Sequence, residues 1–114
     1  MSPARPEQRK YPRVRAEIPV HLKQLVPGDL EGPAKTSQVS LGGCAVLVVE
    51  PVGEGSTVEL MLDLKGEFIT VVGEVVYERI LPEGAFETGI RFMRVAPEHE
   101  ALLKSVVEGE EGQG

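Results

Sequence analysis

The sequence predicts an all-β protein, a small six-stranded antiparallel β-barrel with one C-terminal α-helix. Six segments have the two-residue apolar periodicity that is typical of half-buried strands. Thirteen glycines and nine prolines provide turns between these segments. A single segment near the C-terminus has helical periodicity instead, so we expect one helix after the last strand.

The first two strands are expected at residues 17–24 and 34–39. Pro19 has no N–H to donate to a ladder, so the first strand begins near this residue or lies at an edge. The prolines and glycines between residues 27 and 33 are expected to form the connecting loop. The third strand, residues 44–50, has apolar residues on both faces, which predicts a central strand covered on both sides.

The next two strands are expected at residues 57–64 and 67–80, joined by a tight turn at Lys65 and Gly66. The second of these segments is longer than a typical strand. Gly73 lies in its middle, and a glycine inside a strand often marks a bulge or a sharp bend. We therefore expect this strand to bend at Gly73 and to serve both sides of a small barrel.

The last strand is expected at residues 85–95, where Gly89 predicts a close backbone approach. Pro97 then suits the first position of a helix, and the apolar residues that follow have helical spacing. We expect this helix to cover one end of the barrel and to end at Gly109. Residues 1–8 are expected to form a flexible arm and residues 108–114 a disordered tail.

Charge is distributed unevenly along the 114-residue chain, which is long enough for one domain. Residues 1–23 contain six Lys or Arg and two Asp or Glu. Residues 24–114 contain six Lys or Arg and sixteen Asp or Glu. Nucleic-acid binding depends on a broad basic face, so the acidic body disfavours DNA or RNA as a partner. A local basic arm can still bind a small anion.

Several other classes of protein are disfavoured. The lone Cys44 cannot form an internal disulfide and lies in an apolar strand, which is typical of a core residue rather than a nucleophile. His21 and His99 do not have the spacing of metal ligands. No apolar run is long enough to cross a bilayer, and no signal peptide is visible. We expect a cytoplasmic protein without catalytic residues, metal, cofactor or membrane insertion.

Two short motifs stand out in the first half of the chain. One is Arg9-Lys10-Tyr11-Pro12-Arg13, ahead of the first predicted strand, and the other is the segment from Gln38 to Gly43. They resemble the RxxxR and (D/N)xSxxG elements of the PilZ domain, a bacterial receptor module for cyclic di-GMP, except that Gln38 replaces the Asp or Asn. Gln8 also stands where the family often has another arginine. The likeness covers about residues 8–107, and we assign a PilZ-like domain to residues 9–107.

The resemblance implies a binding site with two walls. Arg9 and Arg13 would bind phosphate or guanine, with Lys10 as a phosphate neighbour. Gln38, Ser40 and Gly43 would form the opposite wall. Gln38 is neutral and offers one carbonyl acceptor, so it would hold a guanine edge less strongly than a carboxylate.

The same resemblance leaves two functions open. In the first, cyclic di-GMP orders the arginine arm and the protein signals to a protein partner, as a monomer or as a ligand-linked dimer. In the second, the domain is degenerate, does not bind the nucleotide and serves as a ligand-independent interaction adaptor. The change at Gln38 bears on both, because it weakens the wall that would hold the base.

Overall fold

The computed structural model describes residues 13–113 of the protein, and the side chains of residues 13–109. This part of the chain forms seven strands and one helix: β1 (Val14–Arg15), β2 (Pro19–Val26), β3 (Glu31–Val39), β4 (Gly43–Val48), β5 (Thr57–Leu64), β6 (Glu67–Ile80), β7 (Phe86–Val95) and α1 (Pro97–Gln113).

Six of the strands close into an antiparallel barrel. Each is hydrogen-bonded to the next in the order β3-β2-β5-β6-β7-β4, and β4 pairs with β3 to complete the ring. The predicted six-stranded barrel with one C-terminal helix is therefore confirmed. β1 is an additional two-residue strand that pairs with β3 beyond the end of β2, where Val14 lies opposite Val39.

The core is aliphatic, as expected of a chain without tryptophan. Alternate residues of the strands point inward, and Leu60, Leu62 and Ile69 have no exposed surface. The helix α1 contributes Leu103 and Val107 to the same cluster and contacts β1 and β5. The prediction that the apolar stripe of the helix covers part of the barrel core is confirmed.

The hairpin of β5 and β6 has the predicted bounds and the predicted turn. Lys65 and Gly66 both have positive φ, which matches the right-handed twist of the two strands. The predicted irregularity at Gly73 is also present, since the pairing of β6 with β7 shifts there. The extra residue is Met93 of β7. A Cβ at Gly73 would lie only 2.7 Å from the carbonyl oxygen of Arg91, so the strands need glycine at this crossing.

The start of the barrel differs from the prediction in two ways. β2 begins at Pro19 rather than at residue 17, because residues 16–18, between β1 and β2, do not continue the strand along β3. The hydroxyl of Thr36 fixes this detour by accepting the N–H of Ile18 at 2.9 Å and donating to the carbonyl of Ala16. β3 begins at Glu31, so the predicted loop at residues 27–33 is too long. Pro33 fits in β3 because β4 pairs with it only from Lys35 onward.

Two further predictions are wrong. β4 ends at Val48, whereas the strand was predicted to extend to residue 50, and Val49 is 84% exposed. The inner face of β4 meets the core, and on its outer face Ala45 is buried and Leu47 half-buried, so the second face is covered only in part. The helix does not end at Gly109, which lacks the left-handed conformation of a helix terminator and lies inside α1. The helix therefore includes most of the segment expected to be a tail.

Candidate functional site

A cleft of about 260 Å³ lies on the outer face of the barrel, across strands β3, β4, β7 and β6. Its floor is one row of residues that are opposite each other in the sheet: Gln38, Ala45, Gly89 and Tyr77. Ala45 and Gly89, in the middle of the row, have small or no side chains. Gln38 and Tyr77, at the two ends, rise above them and make the row a trough.

Arg13 reaches the cleft directly from the N-terminal side of β1. Because β1 pairs with the end of β3, the chain enters beside Gln38. The Arg13 Nη1 atom donates to Gln38 Oε1 at 3.3 Å, in an exposed position. The register of β1 on β3 thus brings the first motif to the second, although the two are separated by 25 residues along the chain.

Ser40 lies at the same side of the cleft, but its hydroxyl is occupied by the turn between β3 and β4. The oxygen accepts the N–H groups of Gly42 and Gly43, each at 3.1 Å. The hydroxyl also lies 3.2 Å from the carbonyl oxygen of Gly43, to which it donates. A hydroxyl has one donor and two acceptor positions, so all three are in use. Ser40 therefore fixes the shape of the cleft wall.

Gly43 is required by the contact of β4 with β7. A Cβ at this position would lie 2.3 Å from the carbonyl oxygen of Ile90, which belongs to the backbone and cannot move aside easily. The group that approaches Gly43 is thus the backbone of β7.

Tyr77 forms the wall opposite Gln38. Its ring lies over Gly89, where a Cβ would be only 2.0 Å from the ring atom Cε2. Burial raises the pKa of the Tyr77 hydroxyl above its usual value, and the nearby Glu87 carboxylate raises it further, whereas Arg13 and Arg79 lower it. The sequence indicated a close approach at Gly89, but it did not identify Tyr77 as the group that occupies the space.

Two ion pairs flank the floor of the cleft on its outer face. Arg91 lines the cleft next to Gly43, and its Nη2 atom lies 2.5 Å from Glu74 Oε1. On the other side of the Tyr77 row, Arg79 Nε lies 2.6 Å from Glu87 Oε1. These pairs join β6 to β7 and place two arginines and two carboxylates around the trough.

Cys44 borders the cleft but behaves as a core residue. Its side chain belongs to the buried cluster, and burial raises the pKa of the thiol to about 12. A thiol with such a pKa remains protonated and is a poor nucleophile at neutral pH. Residues 13–109 contain no group of three or more His, Cys, Asp or Glu side chains that could hold a metal ion.

Four of the six predicted site residues meet at this cleft: Arg13, Gln38, Ser40 and Gly43. Arg9 and Lys10 lie outside the described residues, so their predicted positions stay predictions. Tyr77 and Arg91 are lining residues that the motifs did not identify. The helix α1, the only one between residues 13 and 113, is neither long nor apolar enough to cross a bilayer.

Comparison with solved structures finds the same fold in several proteins. The inhibitor of motility MotI/DgrA from Bacillus subtilis has a TM-score of 0.76 and 18% identity, over 94% of this chain and 53% of that one. The PilZ domain of YcgR from Escherichia coli, solved with c-di-GMP, has a TM-score of 0.70 and 17% identity, over 93% of both chains. The K. pneumonia MrkH complex with c-di-GMP has a TM-score of 0.73 and 14% identity, over 93% of this chain and 53% of that one.

The chain thus spans about half of MotI/DgrA and of MrkH and nearly all of the isolated YcgR domain. A search of curated protein sequences gives no match. The family model for the PilZ domain matches residues 7–109, which is most of the chain. The fold and this match place the chain in a family of receptor modules. The chain belongs to the PilZ domain family.

Proposed function

We propose that this protein is a receptor for cyclic di-GMP, which binds in the cleft beside Arg13 and signals to a protein partner. The observation that carries the proposal is the meeting of two distant motifs. Arg13 from the first motif and Gln38, Ser40 and Gly43 from the second line one cleft of about 260 Å³. The two PilZ structures described above that contain c-di-GMP support the same ligand class.

The chemistry of the walls suits a nucleotide with phosphates and purine bases. Arg13 presents a guanidinium that can donate to a phosphate or to a guanine edge and can stack on a base. The Tyr77 ring on the opposite wall offers an aromatic face for stacking. The small residues Ala45 and Gly89 leave room between the walls, so that a planar base can enter.

The signal in this proposal comes from the arm. The phosphates of the ligand would offer Arg9 and Lys10 anions with which to form charge-assisted hydrogen bonds. Ligand binding then orders the arm against the barrel and changes the surface that a partner meets. The arm and β1 are continuous in the chain, so ordering begins at Arg13.

Calorimetric titration with cyclic di-GMP tests this function. The wild-type protein is expected to release or absorb heat on binding, and Arg13→Ala is expected to lower the affinity by at least about ten-fold. Arg94→Ala is the matched control, since it removes an exposed arginine of β7 that does not line the cleft. Folded wild-type protein that gives no heat at high micromolar ligand would rule the proposal out.

A second candidate function is a ligand-independent adaptor built on the same barrel. It is favoured by one observation: the Ser40 hydroxyl and the space at Gly43 are both fully used by the fold. These motif residues therefore have a structural reason to be present without any nucleotide. The adaptor predicts that Gln38→Asp does not create or improve nucleotide binding, and that a partner complex is indifferent to cyclic di-GMP.

A further inference from the structure

Glu87 of β7 is a partly satisfied carboxylate next to the cleft. It lies two residues before Gly89 on the same outer face, opposite Leu47 of β4 and Arg79 of β6. Its side chain is only 12% exposed. Oε1 accepts the Nε hydrogen of Arg79 at 2.6 Å, whereas the closest described partner of Oε2 is the Ser37 hydroxyl at 3.5 Å. One carboxylate oxygen thus retains most of its capacity to accept hydrogen bonds.

The position of Ser37 connects Glu87 to the Gln38 wall. Thr36 pairs with Val46 and Gln38 pairs with Ala45, so Ser37 is the extra residue of a bulge in β3. The carboxylate of Glu87 reaches across β4 to this bulge, one residue from Gln38. It also acts on the other wall, since its charge raises the pKa of the Tyr77 hydroxyl. Glu87 therefore lies close to both walls.

Two other acceptors of the cleft are already engaged, since the Gln38 carbonyl accepts from Arg13 and the Ser40 hydroxyl is used by its turn. Glu74 also binds an arginine through Oε1, but Glu87 is the carboxylate that reaches across β4 toward Gln38. A guanine presents two adjacent donors on one edge, its ring N–H and its exocyclic amino group. A carboxylate oxygen has two lone pairs and accepts from such donors with charge assistance, which a neutral amide lacks. Adenine has a ring acceptor in place of the ring N–H, so a carboxylate disfavours it.

We propose that Glu87 is a specificity-determining residue that reads the guanine edge and supplies the negative charge that Gln38 does not. This inference rests on the proposed function, because it assigns the base selectivity of the same cleft. Arg79 occupies Oε1 of Glu87, and Oε2 remains for the base. The selectivity of the site would then come from β7 rather than from the motif in β3.

The experiment is a calorimetric comparison of cyclic di-GMP and cyclic di-AMP on four proteins. Wild type is expected to prefer cyclic di-GMP. Glu87→Gln removes the charge and is expected to weaken cyclic di-GMP binding by about ten-fold while leaving cyclic di-AMP unchanged. Arg79→Gln breaks the same ion pair but keeps the carboxylate, so its affinity is expected to stay within about three-fold of wild type. Adding Gln38→Asp to Glu87→Gln is expected to restore the preference.

Each result decides the assignment. The assignment is overturned if Glu87→Gln keeps the wild-type preference for cyclic di-GMP over cyclic di-AMP. It is also overturned if Arg79→Gln loses as much affinity for cyclic di-GMP as Glu87→Gln does, because the carboxylate would then act only through the ion pair. Glu87→Asp, which keeps the charge and shortens its reach, is the second variant if Glu87→Gln does not fold; unchanged preference there also overturns the assignment. If the wild-type protein binds neither nucleotide, the receptor function and this inference both fail. If it binds cyclic di-GMP but the Glu87 variants keep the preference, only this inference fails.

Discussion

The turn from Ser40 to Gly43 and the arginine side at Arg13 face the same cleft, but the fold holds them with different amounts of structure. In the turn, the Ser40 hydroxyl makes three hydrogen bonds and Gly43 packs against the backbone of β7. At the arginine side, one exposed hydrogen bond of 3.3 Å joins Arg13 to Gln38. The comparison teaches that the fold itself uses Ser40 and Gly43, whereas it makes little use of the Arg13 side chain.

The largest effect on stability is expected from Gly43→Ala. The new Cβ would meet the Ile90 carbonyl oxygen at 2.3 Å, so β4 and β7 must separate, which costs about 3 kcal/mol. Urea unfolding measures the loss. Gly32→Ala in β3 is the matched control, since a Cβ there meets nothing within 4 Å. Similar stability of the two variants would show that the turn side is not held by this contact.

Ser40→Ala should have the next largest effect. It leaves the N–H groups of Gly42 and Gly43 without their acceptor, at a cost of about 2 kcal/mol in the free energy of unfolding. Ser37→Ala serves as control, because the Ser37 hydroxyl has only contacts of 3.5 Å. If Ser40→Ala kept full stability but lost nucleotide affinity, Ser40 would contact the ligand instead.

The free energy of unfolding should also fall at alkaline pH because of Cys44, the residue that follows Gly43 at the end of the turn. Burial raises the pKa of the Cys44 thiol from its ordinary value of 9.0 to about 12. The protonated thiol therefore stabilises the folded state. Its contribution to the free energy of unfolding is complete below pH 9 and is lost as the pH rises from 9 to 12. The loss in the free energy of unfolding between pH 8 and pH 10 is roughly 1 kcal/mol. Urea unfolding at both pH values measures it, and Cys44→Ala should show a smaller decrease; an equal decrease would exclude the thiol as its source.

Arg13→Ala is expected to have the smallest effect on stability, below about 0.5 kcal/mol, because the residue is exposed and makes one long hydrogen bond. Its effect on nucleotide affinity should be the larger one, which is the reverse of Gly43→Ala. Melting and titration of the same sample give both quantities. A strongly destabilised Arg13→Ala protein would mean that the arginine side is also part of the folding scaffold.

Local patterns predicted much of the barrel. Alternating residues and a two-residue turn define the β5–β6 hairpin, and a glycine inside a long strand marked the irregularity at Gly73. Features that depend on distant partners were missed or misjudged. β1 has only two residues and forms because β3 extends past β2, and Pro33 enters a strand because β4 does not pair with it there.

The same distinction between local patterns and distant partners explains which site residues could be predicted from the sequence. The two motifs indicated Arg13, Gln38, Ser40 and Gly43, because each motif is local. Tyr77 lines the cleft and Glu87 lies beside it only through the register of β6 and β7, which contains two shifts. Periodicity in a single sequence does not report which residues face each other after such bulges.

The two tyrosines of the chain allow the most direct test of the account. One, Tyr11, belongs to the arginine motif, and the other, Tyr77, forms the opposite wall. With isotope-labelled tyrosine rings, an NMR spectrum contains ring signals from these two residues alone. Cyclic di-GMP at a concentration that just saturates the wild-type protein is predicted to shift the signals of both rings there, and to shift them much less in Arg13→Ala. Unchanged signals in a folded wild-type protein would contradict the claim that the cleft binds the nucleotide.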